Sequence, residues 1–299
     1  MKENIGFIGI GTMGKPMALN ILKAGYPIMV YDINPKALEE VKEKGATVGK
    51  SAKEVASKTD FIITMLPNSQ DVENAILEEN GVLEGANSKS IVIDMSTIDP
   101  SVSRKIAKTL AGKNIKMLDA PVSGGQMGAQ AGTLAIMVGG EESVFQKCSN
   151  LFQAMGKKIF YCGPNGNGEI VKIMNNMLAG VFMIASAEAV ALGVKAGVNI
   201  KVLYDVINTS SGQSWILQHY AALKALKGDF EPGFMAELMH KDLGLAMNLA
   251  KEEKVPVLVG GLSYQIYSNI LASGLGKKDS SAPFKWIEDL LNLKLRLPE

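Results

Sequence analysis

Short, largely apolar runs alternate with amphipathic stretches through the first half of the chain. Residues 5–8, 28–31, 61–66 and 90–95 are apolar with little alternation, and each ends in glycine or polar turn residues. Such runs predict strands covered on both faces, as in a parallel sheet flanked by helices. Amphipathic segments ending near Lys23, over 35–44 and over 51–58 supply intervening helices. A strand beginning at Met117 enters a Ser-Gly-Gly loop, and 134–138 and 158–162 read as two further strands around a helix at 141–152. A first domain over 1–164 follows. Beyond Gly168 the strand pattern stops. Helices are predicted at about 168–197, 200–208, 214–227, 235–253, 257–273 and 283–293, giving a second, all-helical domain over 165–299.

The first of these helices is apolar almost all round from Ile170 to Ile184, the pattern of a helix buried in a large protein or spanning a membrane. Its longest apolar run, 177–187, stops at Glu188, short of the roughly 20 residues a membrane span needs. Lys172 interrupts the face near the helix start, with Asn175 and Asn176 three and four residues on, hence beside it. A buried lysine is costly without partners. It is either a structural lysine reaching out at a helix start or one held for proton transfer.

Composition narrows the partners. In 299 residues the net charge is +1, which gives no electrostatic ground for nucleic acid or an anionic membrane surface. Two cysteines without CxxC spacing read as ordinary thiols in a reducing compartment, and two histidines leave almost nothing from which to build a metal site. The first residues lack the apolar core and cleavage site of a signal peptide. The expectation is a soluble cytoplasmic protein without a metal.

The strongest motif is Gly9-Ile10-Gly11-Thr12-Met13-Gly14, set between a strand and a helix, with Asp32 closing the next strand. Gly9 permits the tight turn, Gly11 admits a pyrophosphate to the backbone, and Gly14 lets helix and strand pack closely. The helix start offers N–H groups to the phosphates. Asp32 would accept from the adenosine ribose hydroxyls and would oppose a 2′-phosphate. No arginine follows it, so NAD is expected ahead of NADP, with Lys36 keeping NADP possible. Asn68 and Thr97 lie just past strands, where they either touch a dinucleotide or cap helices. Ser123-Gly124-Gly125 is either a nest for a carboxylate or a plain turn. Lys241-Asp242 reads by default as a solvated charge pair, and His240 as a surface or packed residue.

Taken together, Gly6–Gly14, Asp119–Gly125 with Gly132-Thr133-Leu134, Gly166–Asn176, Lys241-Asp242-Leu243 and Gly274–Ala282 resemble the β-hydroxyacid dehydrogenase family over nearly the whole chain. The resemblance implies a Rossmann-type N-terminal domain followed by an all-α domain built on a long interdomain helix. It makes Lys172 the catalytic lysine and gives Ser123, Gly124, Gly125, Asn176, Phe234 and Asp242 to the substrate. To the cofactor it gives Gly9, Gly11, Thr12, Met13, Gly14, Asp32, Leu66, Pro67, Asn68, Thr97 and Lys241. It implies a small hydroxy acid or semialdehyde as substrate and a homo-oligomer, dimer or tetramer.

A free lysine titrates near ~10.4, so a base role near neutral pH needs that value lowered. Desolvation and a positive nicotinamide ring would both act that way. The stretch Asn208–Gly212 resembles the hydroxyisobutyrate and hydroxymethylglutarate enzymes of the family more than the tartronate semialdehyde reductases, but Gln213 stands where an arginine commonly follows in the first two. A small 3-hydroxy acid is the first expectation and a dicarboxylic one the second. Imine reduction and a non-catalytic NAD sensor remain as other classes.

Overall fold

The computed structural model describes residues 2–298, which fall into two compact units, one running through Lys172 and the other from Ile173 onward. In the first unit the described residues form a nine-stranded sheet. Its parallel part holds β1 (Ile5–Ile8), β2 (Ile28–Tyr31), β3 (Thr47–Val48), β4 (Phe61–Thr64), β5 (Ile91–Asp94) and β6 (Lys116–Asp119), in the order β3-β2-β1-β4-β5-β6. The order of successive strands reverses between β1 and β4, which lie parallel, and this creates the switch point at which such sheets bind ligands. Beyond β6 the sheet continues with β8 (Leu134–Gly140), antiparallel to β6 and to β7 (Val122–Ser123), and with β9 (Gly156–Gly163), parallel to β8.

Helices α1 (Gly14–Lys23), α2 (Pro35–Glu43) and α3 (Ala52–Lys58) follow the amphipathic pattern. The pattern does not single out α4 (Ser69–Leu77), α5 (Val82–Gly85) and α6 (Pro100–Ala111). The first and last of these are started by caps, since Asn68 accepts from Asp71 N–H and Asp99 from Ser101 N–H. The glycines after Ser123 do not form a turn alone but open a short helix, α7 (Gly125–Ala131), and α8 (Glu142–Met155) completes the unit. Two cores cover the faces of the sheet, one around Phe7, Ile63 and Phe152, the other around Ile62, Val92 and Ile106.

Helix α9 (Asn167–Lys195) begins in the first unit and forms the core helix of the second, burying Met183, Ala187 and Val190 in one cluster and Ile184 in another. By length and composition it is long and apolar enough to cross a membrane. This corrects the sequence reading, which broke the run too early. Between Glu169 and Glu188 only Lys172 is charged. Around it stand α10 (Ile200–Asn208), α11 (Ala236–Glu252), α12 (Leu258–Ile270) and α13 (Ala282–Leu291). The single helix expected over 214–227 is instead a π-helix, Ile216–Ala221, followed by a 3-10 turn, Ala225–Lys227, and α12 runs on into a π-helical stretch, Leu271–Leu275.

Candidate active site

In the first unit, candidate residues collect at the carboxyl ends of β1, β2, β4 and β5. The glycine turn after β1 is set by crowding. A Cβ on Gly9 would lie 2.3 Å from the Met65 carbonyl oxygen, and one on Gly14 would lie 1.9 Å from that of Gly9. At Gly11 nothing stands within 4 Å, so the backbone is open there to an approaching group. No side chain caps α1 and its first turn carries no acid, leaving its positive end to an outside anion. Asp32 accepts from Ile10 N–H at 2.6 Å and from Asn34 N–H at 2.7 Å, one bond to each oxygen. Each oxygen keeps a lone pair for a ribose hydroxyl. An open glycine backbone, an uncapped helix start and an acidic strand end fit a dinucleotide.

The loops after β4 and β5 are tied together from beneath. Asp94 is fully buried, and its Oδ1 accepts from Thr64 Oγ1 at 2.8 Å and from Ser96 Oγ at 2.6 Å. The Ser96 hydroxyl oxygen accepts in turn from Leu66 N–H at 2.9 Å, and Ser69 Oγ accepts from Asp99 N–H at 3.0 Å. Leu66, Pro67 and Thr97 thus sit on loops cross-linked to one another. The Asn68 side chain is engaged in capping α4 and bonding Asp71. Nothing in the sequence marks Asp94 or Ser96 beyond their place at a strand end.

Burial raises the Asp94 carboxyl to about 6, its bonds from Ser96 and Thr64 offsetting only part of the desolvation. With the folded value above the unfolded one, the folded state binds the extra proton between about pH 4 and 6, so stability from this group is lost as pH rises through 6. The difference is on the order of 3 kcal/mol. Urea unfolding of Asp94→Asn and the parent at several pH values should show a flatter acid-side profile in the variant by about that amount. Parallel profiles would remove Asp94 as the titrating group.

Strand β7 delivers Ser123, half-buried, to two exposed glycines, Gly124 at φ +133° and Gly125 at φ +59°, a backbone that side chains other than glycine rarely adopt. Asp119, buried at the end of β6, accepts from Gly166 N–H at 2.7 Å and Glu169 N–H at 3.3 Å, and so fastens the first turn of α9. Burial pushes its carboxyl up, these bonds acting against the shift. One turn later Lys172 is only 8 % exposed. It is a buried lysine and not one reaching into solvent.

In the second unit Asn176 is buried and its amide is oriented by Asp242 and Asn175. Its Nδ2 donates to Asp242 Oδ2 at 2.5 Å, and its Oδ1 accepts from Asn175 Nδ2 at 3.0 Å. Lys241 Nζ lies 3.2 Å from the other Asp242 oxygen. The solvated charge pair expected there is incorrect, because Asp242 lies inside, its side chain 2 % exposed, and bridges α9 to Lys241. Phe234 is held by its backbone, its N–H donating to buried Asp279 Oδ2, which also takes Gly233 N–H and the Tyr220 hydroxyl. His240 is packed, stacked on Tyr264 and bonded to Ser268, and desolvation lowers its pKa.

Comparison with known proteins follows these motifs. Residues 4–163 match the model of the NAD-binding domain of 6-phosphogluconate dehydrogenase. Residues 166–287 match that of the NAD-binding region of NADP-dependent 3-hydroxyisobutyrate dehydrogenase. The chain is 42 % identical to the mitochondrial 3-hydroxyisobutyrate dehydrogenase of Mus musculus, over 96 % of its own length and 88 % of the relative's. The chain belongs to the β-hydroxyacid dehydrogenase family. As such it is an NAD(P)-dependent hydroxyacid dehydrogenase. Within the family it is also 42 % identical to the NAD-dependent L-serine dehydrogenase of Pseudomonas aeruginosa, covering 93 % of this chain and 96 % of that one. The solved structure of Mycobacterium tuberculosis 3-hydroxyisobutyrate dehydrogenase with L-serine superposes with a TM-score of 0.87 at 35 % identity, covering 96 % and 99 % of the two chains.

Proposed function

We propose that the chain interconverts a small 3-hydroxy acid and its semialdehyde, with 3-hydroxyisobutyrate first among them and NAD preferred. The observation that carries the reaction is Lys172, a buried lysine one helical turn before an amide whose orientation is fixed. The N-terminal domain, 1–164, holds the dinucleotide and the helical domain, 165–299, completes substrate binding and assembly. When bound, NAD would supply the acceptor or donor of the hydride. Gly9, Gly11, Thr12, Met13 and Gly14 would hold the dinucleotide's pyrophosphate, Asp32 its adenosine ribose, and Leu66, Pro67, Asn68, Thr97 and Lys241 the remainder. Ser123, Gly124 and Gly125 receive the substrate carboxylate, and Phe234 lines the substrate. Asn176 holds a substrate oxygen, and Asp242 serves the substrate by holding that amide. Lys172 takes the hydroxyl proton in oxidation and, as ammonium, returns it in reduction.

L-serine, itself a 3-hydroxy acid, is the second reading, favoured by the names of the relative and of the solved complex. Gln213 is neutral and exposed, which supports weaker binding of substrates with a charged distal group. Exposed Val202 and Val206 on α10, with Leu258, Val259 and Leu262 on α12, support an assembly of two or four copies. Absorbance at the NADH band should rise with NAD⁺ and 3-hydroxyisobutyrate or L-serine, and much less with 2-(hydroxymethyl)glutarate. No turnover of any acid, nor of the matching aldehydes with NADH, would sink the substrate reading. A monomer in sedimentation of the same preparation would remove the assembly.

A further inference from the structure

We propose that Glu169 is a positioning residue of the reaction, setting the spacing between the loop that carries Thr97 and the helix that carries Lys172. The proposal rests on the roles given above to those two residues. Glu169 lies in the first turn of α9 and is completely buried, although most acids at helix starts stay in water. Its carboxylate Oε2 accepts from the N–H of Ile98, at 3.2 Å and 71 residues earlier in the chain. Ile98 is the residue after Thr97, and Glu169 stands three residues before Lys172 on the same helical face.

The turn that bears Glu169 has no room to adjust. Asp119 holds the Gly166 and Glu169 N–H groups, and a Cβ on Gly168 would lie 2.4 Å from the Met137 carbonyl oxygen. At its other side the Thr97 loop is already tied to the loop after β4 through Ser96 and Asp99. Glu169 therefore fastens the cross-linked cofactor loops to the helix of the proton-transfer lysine. A buried carboxylate is a costly filler where leucine would serve, so its use lies in the bonds it makes, the one from Ile98 N–H among them. Misplacing a reacting group by about 1 Å costs on the order of 10²-fold in rate.

Two substitutions separate this bond from the charge. Glu169→Gln keeps the length and an acceptor oxygen, so kcat should stay within about threefold of the parent, the difference between a charged and a neutral acceptor. Glu169→Asp keeps the charge but draws the acceptor back by one methylene. Its kcat should fall by about 10- to 100-fold, with KM for NAD⁺ little changed and the Ile98 amide exchanging faster with deuterium. A merely structural role would lower the melting temperature without this split between kcat and KM. An aspartate variant as active as the parent, or a glutamine variant worse than the aspartate, overturns the proposal while Lys172→Ala is inactive. Full turnover in Lys172→Ala overturns instead the reading beneath it.

Discussion

Lys172→Ala is expected to lose about 10²- to 10⁴-fold in kcat, the range that a positioned proton donor or acceptor contributes. Affinity for NAD⁺, measured separately by fluorescence titration, should stay close to the parent value, because the cofactor residues of the first unit are set by the glycine turn and by Asp32. Since Lys172 is buried, alanine also leaves a void near the start of α9. Lys172→Met fills that volume with an apolar stem of similar length and removes only the amine. Both variants should be equally inactive, and the methionine variant should melt higher than the alanine variant, since it leaves no void. Near-normal kcat in either variant, with intact NAD⁺ binding, would end the assignment of proton transfer to Lys172.

The parts of this site that were legible in the sequence are those with a local signature. The turn after β1 needs glycine for reasons of close approach, and three glycines at fixed spacing after an apolar run announce it. Strands β1, β4 and β5 are short, wholly buried runs, and α11 and α13 keep a helical period with a clear apolar face. Strand β3 was not legible, being two exposed residues paired along β2. Glu169 and Asp94 carry no signal either. An acid in a first helical turn, or at a strand end, looks the same in sequence whether it meets water or a buried N–H from another loop. Asp242 was misleading for the same reason, since its lysine neighbour suggested solvent while its carboxylate faces Asn176 on another helix. The family resemblance corrected the weight given to Lys241 and Asp242 but offered no geometry.

Cofactor choice gives the second large effect. NAD⁺ should be preferred over NADP⁺ by about 100-fold or more in kcat/KM, because a 2′-phosphate would meet the Asp32 carboxylate. Like charges brought together cost several kcal/mol, and each 1.4 kcal/mol is tenfold. Asp32 cannot easily turn away, since both of its oxygens are held by backbone N–H groups of the adjoining turns. The next residue, Ile33, is 90 % exposed and offers an apolar surface where a cation would be needed. Lys36, exposed on α2, is the nearest cation in sequence, and a flexible ammonium in water offsets little of the repulsion. Asp32→Ser with Ile33→Arg removes the repulsion and adds a guanidinium suited to a phosphate, so the preference should invert. Asp32→Ser alone should narrow it by raising NADP⁺ turnover and weakening NAD⁺, while also loosening the turn at Ile10. If the parent uses NADP⁺ as well as NAD⁺, Lys36 must reach the phosphate, and Lys36→Gln would then abolish NADP⁺ turnover alone.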